Sequence, residues 1–389
     1  MVVSPFGEQA GGAELSLVHL LSGGSMNGVT WSLAVPCDGG IASAARAGGV
    51  EVEIVNEARV RQVARFCRGI NRIRRLSRRV RADLILSWMP HSHWWGMPAG
   101  KLAGVPTAWF QKDRALPDRR TTRWTASLPC RAILANSLYT ARLQSKMSPK
   151  RPIHVVPSGV DIERFDPDRL PSPRDCRREL GLPPDGPLIG IVGRLQAWKG
   201  IETVIRALAL VRQTHAAARL VIVGGPHGSE PDHPAELRSI ASEVGVLDRL
   251  TFTGAVPHDD VPHYMQACDV LVHASRLEPF GIVVVEALAL GKPLVAANSG
   301  GPRHTVTDGV DGLLAPFADH DALARQLSRL LNGGPEVEAV GRRARETAAA
   351  YSVDVFRQRM AAAVHDIVEA RPAGIWMDGR LIEPDRVEL

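Results

Sequence analysis

Short hydrophobic runs alternate with amphipathic patterns along almost the whole chain. Runs such as Leu84–Ser87 and Leu188–Val192 have the length and β-branched content of buried strands, whereas the apolar spacing over Ala13–Leu21 and Ile201–Gln213 predicts helices. This alternation is typical of parallel sheets covered by helices, so we predict an α/β protein with two doubly wound domains. The predicted strands are Val2–Ser4, Thr30–Ala34, Val52–Val55, Leu84–Ser87, Thr107–Phe110, Ala132–Ala135, Ile153–Val155, Leu188–Val192, Leu220–Val223, Leu250–Phe252, Val270–Val272, Leu294–Ala296 and Leu313–Ala315.

A proline-rich stretch divides the chain. Seven prolines lie between Pro157 and Pro187, and they disfavour both helix and strand. We therefore predict a first Rossmann-like domain at 1–165, a linker at 166–187 and a second domain at 188–350. A helix over 351–371 is expected to cross back to the first domain, and the aperiodic residues 372–389 are expected to be loosely ordered. Two such domains facing each other would form a binding cleft, because open α/β sheets bind ligands at the carboxyl ends of their strands.

The composition is that of a globular protein. The chain has 389 residues, of which 45% are hydrophobic and 23% charged, and its mean hydropathy is −0.05. No run approaches the ~20 apolar residues of a membrane span, and no secretory signal pattern is present. Five widely spaced cysteines suggest neither a disulfide framework nor a zinc site. We therefore expect a cytoplasmic protein with reduced thiols.

Two common nucleotide-binding fingerprints are absent. Neither the dinucleotide pattern G-x-G-x-x-G nor the P-loop pattern G-x-x-x-x-G-K-[ST] occurs in the sequence. A dehydrogenase or a P-loop nucleotide hydrolase is therefore disfavoured.

Two strand–helix loops have features of anion sites. Gly11 and Gly12 open the first helix, where backbone amides can bind an anion, although such glycines are equally common as structural residues. After the strand Leu188–Val192 come Gly193, Arg194 and, five residues later, Lys199. Two cations on one loop can converge on a diphosphate, and the alternative is that both are simply solvated.

The most specific pattern is a pair of glutamates. Glu278 ends a strand–helix loop, Pro-Phe-Gly makes a turn, and Glu286 follows within a helix whose other residues are mostly apolar. A carboxylate there is costly to bury unless it accepts hydrogen bonds, and sugar hydroxyls are suitable donors. The helix start at Gly281 would also favour a phosphate. The alternative is a capping Glu278 and an exposed Glu286.

These residues resemble those of a known family. The Glu278/Glu286 pair resembles the E-x7-E motif of the retaining glycosyltransferases of family four, and Gly193-Arg194 with Lys199-Gly200 resembles their diphosphate site. The resemblance runs from about Ser4 to Ala350 and implies the GT-B arrangement of two Rossmann-like domains. Supporting matches are Gly11-Gly12-Ala13-Glu14, Asn136-Ser137, Val156-Pro157-Ser158-Gly159-Val160-Asp161, Gly224-Gly225 and Gly300-Gly301-Pro302.

The resemblance also implies roles for individual residues. Arg194 and Lys199 would neutralise the leaving nucleoside diphosphate, and Glu278 would contact the hydroxyls of the transferred hexose. Glu286 would hold the ribose hydroxyls of a UDP- or GDP-sugar. Similar enzymes need neither a metal nor a cofactor. The residues expected to complete the nucleotide site are Gly11, Gly12, Gly193, Gly281, Ile282 and Val283.

The first domain departs from the family pattern after its fifth strand. Where the family often has His-Asp, this chain reads Trp109-Phe110-Gln111-Lys112-Asp113. Gln111 is one candidate for the missing contact to the donor sugar or the acceptor. His91 and His93 are the alternatives, and each of the three could equally be structural.

Positive charge is concentrated in the first part of the chain. Residues 1–165 contain 23 Lys and Arg against 11 Asp and Glu, a net charge of +12, and Arg59–Arg81 contains ten arginines and no acidic residue. Its apolar positions keep helical spacing, so it is either a solvated helix packed on the sheet or a patch that docks on anionic lipid. A nucleic-acid contact is disfavoured because Phe66 is the segment's only aromatic residue.

The sequence therefore predicts a retaining, metal-independent hexosyltransferase acting on a glycan or lipid-linked glycan acceptor. Exopolysaccharide or cell-envelope polysaccharide synthesis is the expected setting, with the protein in the cytoplasm or on the inner face of the plasma membrane. Two alternatives stay open. One is a nucleotide-sugar epimerase of similar build, and the other is a non-catalytic membrane or nucleic-acid adaptor on a degenerate transferase fold.

Overall fold

The computed structural model describes residues 1–8, 11–55, 62–114 and 120–382. Arg59 and Arg61 of the arginine-rich segment and residues 383–389 of the predicted tail lie outside this range. The chain forms two compact units. Met1–Gly159 and the chain from Val353 onward form the first, and Val160–Ser352 form the second. All thirteen predicted strands are present to within a few residues at their ends.

The first unit is a Rossmann-like sheet with helices between successive strands. Up to residue 159 its elements are β1 Val2–Val3, α1 Gly12–Leu21, β2 Ser32–Val35, α2 Gly40–Ala47, β3 Glu51–Ile54, α3 Val63–Arg79, β4 Ile85–Trp88, α4 His93–Ala103, β5 Thr107–Gln111, α5 Arg120–Ser127, β6 Ala132–Ala135, α6 Leu138–Met147 and β7 Pro152–Val155. These seven strands are parallel, in the order β7-β6-β5-β4-β1-β2-β3.

The second unit repeats this design. Its elements are α7 Pro173–Glu179, β8 Leu188–Val192, α8 Ile201–Val211, β9 Arg219–Val223, α9 His233–Glu243, β10 Leu250–Gly254, α10 Val261–Ala267, β11 Val270–His273, α11 Ile282–Ala289, β12 Leu294–Ala297, α12 Pro302–Thr305, β13 Leu313–Ala315, α13 His320–Leu331 and α14 Pro335–Ala349. Its six parallel strands are ordered β10-β9-β8-β11-β12-β13. The strand order reverses between β8 and β11, and a ligand of such a sheet binds at the carboxyl ends of these two strands.

The proline-rich segment is not a separate linker. The chain passes into the second unit at Val160, and Cys176 and Leu182 are buried in that unit's core. The prediction of a linker at 166–187 is therefore corrected: the second unit begins earlier. The physical reason is that Pro173 occupies the first turn of α7, where no amide donor is needed, and the Ser172 hydroxyl accepts a hydrogen bond from the Asp175 amide.

The end of the chain is also ordered further than predicted. α15, Val353–Val368, packs Phe356, Met360 and Ile367 into the core of the first unit. It is followed by β14, Gly374–Met377, which pairs in parallel with β7, and by β15, Arg380–Ile382, which pairs antiparallel with β14.

The prediction of a loosely ordered tail is therefore wrong for residues 374–382. The turn of this hairpin is Asp378-Gly379, with positive φ at both residues, and that dipeptide is a strong hairpin signal. Arg359 on α15 holds the turn through two hydrogen bonds to the Asp378 carboxylate, at 2.8 and 3.2 Å.

Candidate functional site

The loop after β8, residues 193–200, carries the two predicted cations. Gly193 has φ of +153°, and Gly200 has φ of +68° and lies so close to the Ala274 carbonyl that a Cβ would approach it to 2.2 Å. Both conformations favour glycine. Arg194 is exposed and has no hydrogen bond or ion pair to any other residue in the described part of the chain. Its guanidinium is therefore available to a ligand at the carboxyl end of β8.

Lys199 and Glu278 form an ion pair across the point where the strand order reverses. Lys199 ends a 3-10 turn before α8, and its Nζ donates to Oε2 of Glu278 at 2.7 Å. Both side chains are mostly buried, with 17% and 15% of their surface exposed. The sequence placed both residues in the site, and the structure adds that they contact each other directly.

His273, the last residue of β11, completes this cluster. Its Nε2 lies 3.5 Å from the same Oε2 of Glu278, and the ring is buried. Burial alone would raise the pKa of the Glu278 carboxyl, but the Lys199 charge and the His273 contact hold that pKa well below its usual range. Glu278 is therefore ionised at neutral pH. Both partners contact Oε2, and no hydrogen bond to Oε1 is present among the described residues, so Oε1 can accept one from a ligand.

The backbone of Glu278 is fixed by the loop after β12. The Gly301 amide donates to the Glu278 carbonyl at 2.7 Å, and the Leu277 amide donates to the Ser299 hydroxyl at 3.2 Å. A Cβ on Gly300 would lie 2.4 Å from the Glu278 carbonyl oxygen, so only glycine fits there. The matched Gly300-Gly301 pair therefore serves to position the glutamate loop.

Glu286 is buried on α11, as its apolar surroundings predict. Only 4% of its surface is exposed, and its carboxylate has no hydrogen bond to another side chain in the described residues. Burial raises the pKa of Glu286 to about 7, with a smaller opposing effect from Arg164. Such a group is ready to accept hydrogen bonds from hydroxyls, because the desolvation cost of its charge is uncompensated in the free protein.

The start of α11 is a candidate phosphate site. Gly281 precedes it with φ of +89°, and the amides of the first turn, including those of Ile282 and Val283, have no acceptor within the helix. The helix dipole adds partial positive charge at this end. Together with Arg194 and Lys199, the second unit thus holds positive charge and free amides beside two carboxylates.

In the first unit, α1 begins at Gly12 with an extended Gly11 before it. The Ala13 carbonyl in the first turn accepts a hydrogen bond from the Trp88 indole at 2.9 Å, which ties this turn to the end of β4. The contribution of Gly11 and Gly12 to a phosphate site stays a prediction.

The three candidate contact residues of the first unit differ in accessibility. His91 is exposed and meets the Phe6 ring edge-on, with ring centroids 6.0 Å apart. His93 is fully buried, and its ring nitrogens contact the Ser87 hydroxyl and the Pro129 carbonyl. No atom of His93 remains for a sugar, so we assign it to the core of the fold.

Gln111 is buried at the end of β5. Its Nε2 donates to the Asp113 carbonyl at 2.8 Å, while its Oε1 has no hydrogen-bond partner in the described residues. His91 and Gln111 therefore both remain candidates.

Lys112 is a further buried group of the first unit, and the sequence pattern did not indicate it. Its ammonium is buried, donates to the Ser158 hydroxyl at 3.0 Å and lies over the rings of Phe110, Trp88 and Phe356 at 4.3, 4.9 and 5.6 Å. Burial lowers its pKa to about 7. The partners come from distant parts of the chain, so only the position of Lys112, directly before Asp113 where the family has His-Asp, could have indicated it.

Solved structures share this fold over almost the full chain. Anabaena HepE, in a crystal structure with UDP, is 25% identical, with a TM-score of 0.78, 94% of this chain and 99% of HepE being covered. Sucrose-phosphate synthase from Thermosynechococcus elongatus is 22% identical, with a TM-score of 0.76, and the alignment covers 95% of this chain and 99% of the synthase. These likenesses confirm the predicted class, an α/β protein of the GT-B type with two Rossmann-like units.

Family models then identify the chain more narrowly. Residues 10–164 match the model described as Glycosyltransferase Family 4, and residues 174–347 match the one described as Glycosyl transferases group 1. The chain therefore belongs to glycosyltransferase family 4. The second match contains the whole Arg194, Lys199, Glu278 and Glu286 set.

Among curated proteins, the chain is similar to D-inositol 3-phosphate glycosyltransferases. The protein from Acidothermus cellulolyticus is 36% identical over 276 residues, which is 64% of this chain and 61% of the relative. The protein from Salinispora arenicola is 41% identical over 186 residues, which is 46% of this chain and 42% of the relative. In both cases the match spans less than two thirds of the relative's length.

Proposed function

We propose that this protein is a retaining glycosyltransferase that moves a hexose from a UDP- or GDP-sugar to a glycan or lipid-linked glycan acceptor. The observation that carries the proposal is the Lys199–Glu278 pair at 2.7 Å, with Arg194 exposed on the same loop as Lys199 and without a side-chain partner among the described residues. Family membership and the UDP bound to the related HepE support a nucleotide-sugar donor. Exopolysaccharide or cell-envelope polysaccharide synthesis is the setting that we propose.

The charge of each site residue determines its role in the proposed reaction. Arg194, Lys199 and the first amides of α11 stabilise the diphosphate, which gains negative charge as its bond to the sugar breaks. The free Oε1 of the ionised Glu278 accepts hydrogen bonds from the hexose hydroxyls and orients the anomeric carbon. Because two side-chain cations neutralise the leaving group, we propose that no metal is needed.

The direct test is product analysis with a panel of UDP-, GDP- and ADP-sugars and with acceptors that include inositol 3-phosphate and lipid-linked glycans. We expect NMR to show the anomeric configuration of the donor in the product, and turnover to persist in EDTA. Arg194→Ala should reduce turnover at least about tenfold, since a charge-assisted contact is worth ~1.5 kcal/mol or more.

Three outcomes would overturn the proposal. An inverted anomer contradicts the retaining mechanism, and loss of activity in EDTA that Mn²⁺ restores contradicts metal independence. Conversion of the donor sugar without any acceptor would favour the epimerase.

Glu286 supplies a second test, because its pKa of about 7 predicts pH-dependent nucleotide binding. As the pH falls from 8 to 6 the carboxylate gains a proton and loses acceptor capacity, so affinity for the free nucleotide should fall about tenfold. Calorimetry on the wild-type protein and on Glu286→Gln isolates this effect, because the phosphate of the nucleotide titrates in the same way in both experiments. If the wild-type protein and Glu286→Gln show the same affinity and the same pH profile, Glu286 does not bind the nucleotide.

A further inference from the structure

Three successive helices of the first unit carry positive charge and no acidic residue. α3, α4 and α5 contain no Asp or Glu, while their exposed cations include Arg65, Arg68, Arg75, Lys101 and Arg123. Their exposed and half-exposed side chains form what we call the α3–α5 face. Such a face attracts anionic partners.

The structure separates the arginines of α3 into two groups. Arg72 and Arg78 donate to the Ile54 and Leu102 carbonyls, Arg74 donates to Asn71, and Arg79 pairs with Glu51 and Glu53. These four serve the fold. By contrast, the side chains of Arg65 and Arg75 are exposed and make no hydrogen bond or ion pair with another described residue, and the Arg68 side chain contacts only its own helix, at the Ala64 carbonyl.

The apolar stripe of α3 is not available for insertion into a bilayer. Ile73 and Leu76 are each 1% exposed, and they pack with Ile70 in one cluster of the core. Any membrane contact must therefore use other apolar side chains.

Those side chains are mostly aromatic and come mainly from the neighbouring helices, with Val63 of α3 added. Phe66 on α3 contacts Trp95 on α4, with ring centroids 5.8 Å apart, and Trp94 contacts Trp124 on α5 at 5.3 Å. Trp124 is 67% exposed, and Val63 at the start of α3 is 66% exposed. Large apolar groups this exposed, on the same successive helices as exposed arginines, are characteristic of surfaces that sit at a membrane interface.

We propose that the α3–α5 face docks on an anionic lipid bilayer, with Trp124 and Val63 at headgroup level and Arg65, Arg68 and Arg75 on lipid phosphates. A bilayer fits better than a nucleic acid for two reasons. Trp94 and Trp95 already pack against other rings, and exposed aliphatic groups such as Val63 gain little from a phosphate backbone. No helix in the described residues is long and apolar enough to cross a membrane.

The test is co-sedimentation of the full chain with phosphatidylglycerol-containing and pure phosphatidylcholine vesicles. We expect binding to the anionic vesicles that weakens with salt. The triple variant Arg65→Gln, Arg68→Gln, Arg75→Gln should lower the partition on the order of a hundredfold, because each surface cation contributes several-fold. Trp124→Ala should lower it about tenfold through lost interfacial contact.

Matched controls come from the second unit. Arg174, Arg325 and Arg342 are exposed there, and their triple change to Gln alters the net charge equally but should leave vesicle binding within about twofold of wild type. Leu247→Ala is the control for Trp124→Ala, because Leu247 is 42% exposed. Unchanged thermal midpoints and unchanged circular-dichroism spectra confirm that each variant is folded.

Other outcomes overturn the proposal. Equal, salt-insensitive recovery with both vesicle types, or equal losses in the two triple variants, would leave α3 as a solvated helix. Oligonucleotides that bind the face tightly and displace the vesicles would assign it to nucleic acid instead. None of these assays uses a sugar donor, so they stand or fall independently of the transferase proposal.

Discussion

Replacement of Lys199 by methionine is expected to reduce kcat about a hundredfold, the usual effect of removing one group that stabilises a leaving oxyanion. It should also destabilise the second unit. The change leaves the Glu278 carboxylate, 15% exposed, with His273 as its one remaining polar side-chain contact in the described part of the chain, and an uncompensated buried charge costs ~3–5 kcal/mol. A unit of this size would lose roughly 10 °C in its thermal midpoint.

The pH dependence of this loss has a defined sign. The depressed pKa of Glu278 means that its pairing stabilises the folded protein at neutral pH and that this stabilisation disappears as acid protonates the carboxylate. The difference in midpoint between wild type and Lys199→Met should therefore be full near pH 7 and shrink only as the pH falls below 4.5, the ordinary pKa of a glutamate, towards the depressed pKa of Glu278.

A double-mutant cycle separates the pair from its parts. Glu278→Gln alone and together with Lys199→Met gives the coupling energy in both stability and kcat, while Lys199→Arg keeps the charge as a control. If Lys199→Met loses less than tenfold in kcat, the lysine is not a diphosphate contact.

Lys112→Met is expected to have the opposite effect on stability. Burial lowers the pKa of Lys112 to about 7, from 10.5 in the unfolded chain. Between pH 7 and pH 10.5 the unfolded chain therefore binds one proton more than the folded chain. The free-energy penalty of burying the charged Lys112 ammonium is full below pH 7 and vanishes as the pH rises towards 10.5. Lys112→Met removes this desolvation penalty, which is ~5 kcal/mol in full. The variant also loses the contacts of the ammonium with the rings and with Ser158, and this loss offsets part of the gain in stability.

We expect Lys112→Met to raise the midpoint of the first unit by about 5 °C at pH 6 and much less at pH 9.5. Scanning calorimetry at both pH values measures this, with Lys101→Met as the control because Lys101 is exposed on the same unit. A destabilised variant at pH 6 would show that the ring contacts outweigh desolvation. A stabilised variant with reduced turnover would identify Lys112 as a functional residue, since folding cannot explain that loss.

The sequence was most informative where signals are local. Continuous apolar strands and helical spacing are set by nearest neighbours, so both sheets and the buried environment of Glu286 could be predicted. The Asp378-Gly379 turn was a local signal too, but its strands are short and lie at the sheet edge, so the hydrophobic pattern around it is weak. Prolines misled at 166–187 because a helix accepts proline in its first turn.

The parts of the site that escaped prediction depend on contacts distant in sequence. Lys112 is held by Ser158 and Phe356, and nothing in its neighbourhood shows that its ammonium is buried. His93 was predicted as a candidate contact residue, but both of its ring nitrogens contact core partners, the Ser87 hydroxyl and the Pro129 carbonyl. Likewise, the aromatic side chains of the α3–α5 face come largely from α4 and α5, not from the arginine-rich helix that drew attention to the surface.

The return of the chain to the first unit sets the order in which the protein can mature on the ribosome. The core of that unit needs Phe356, Met360 and Ile375, which are synthesised after the whole of Val160–Ser352. At ~5–20 residues per second, the first unit waits roughly 10–40 s with part of its apolar surface uncovered, whereas the second unit is contiguous and can close as it emerges. The half of the protein made first is therefore the half completed last, and it is the half exposed to chaperones and proteases during synthesis.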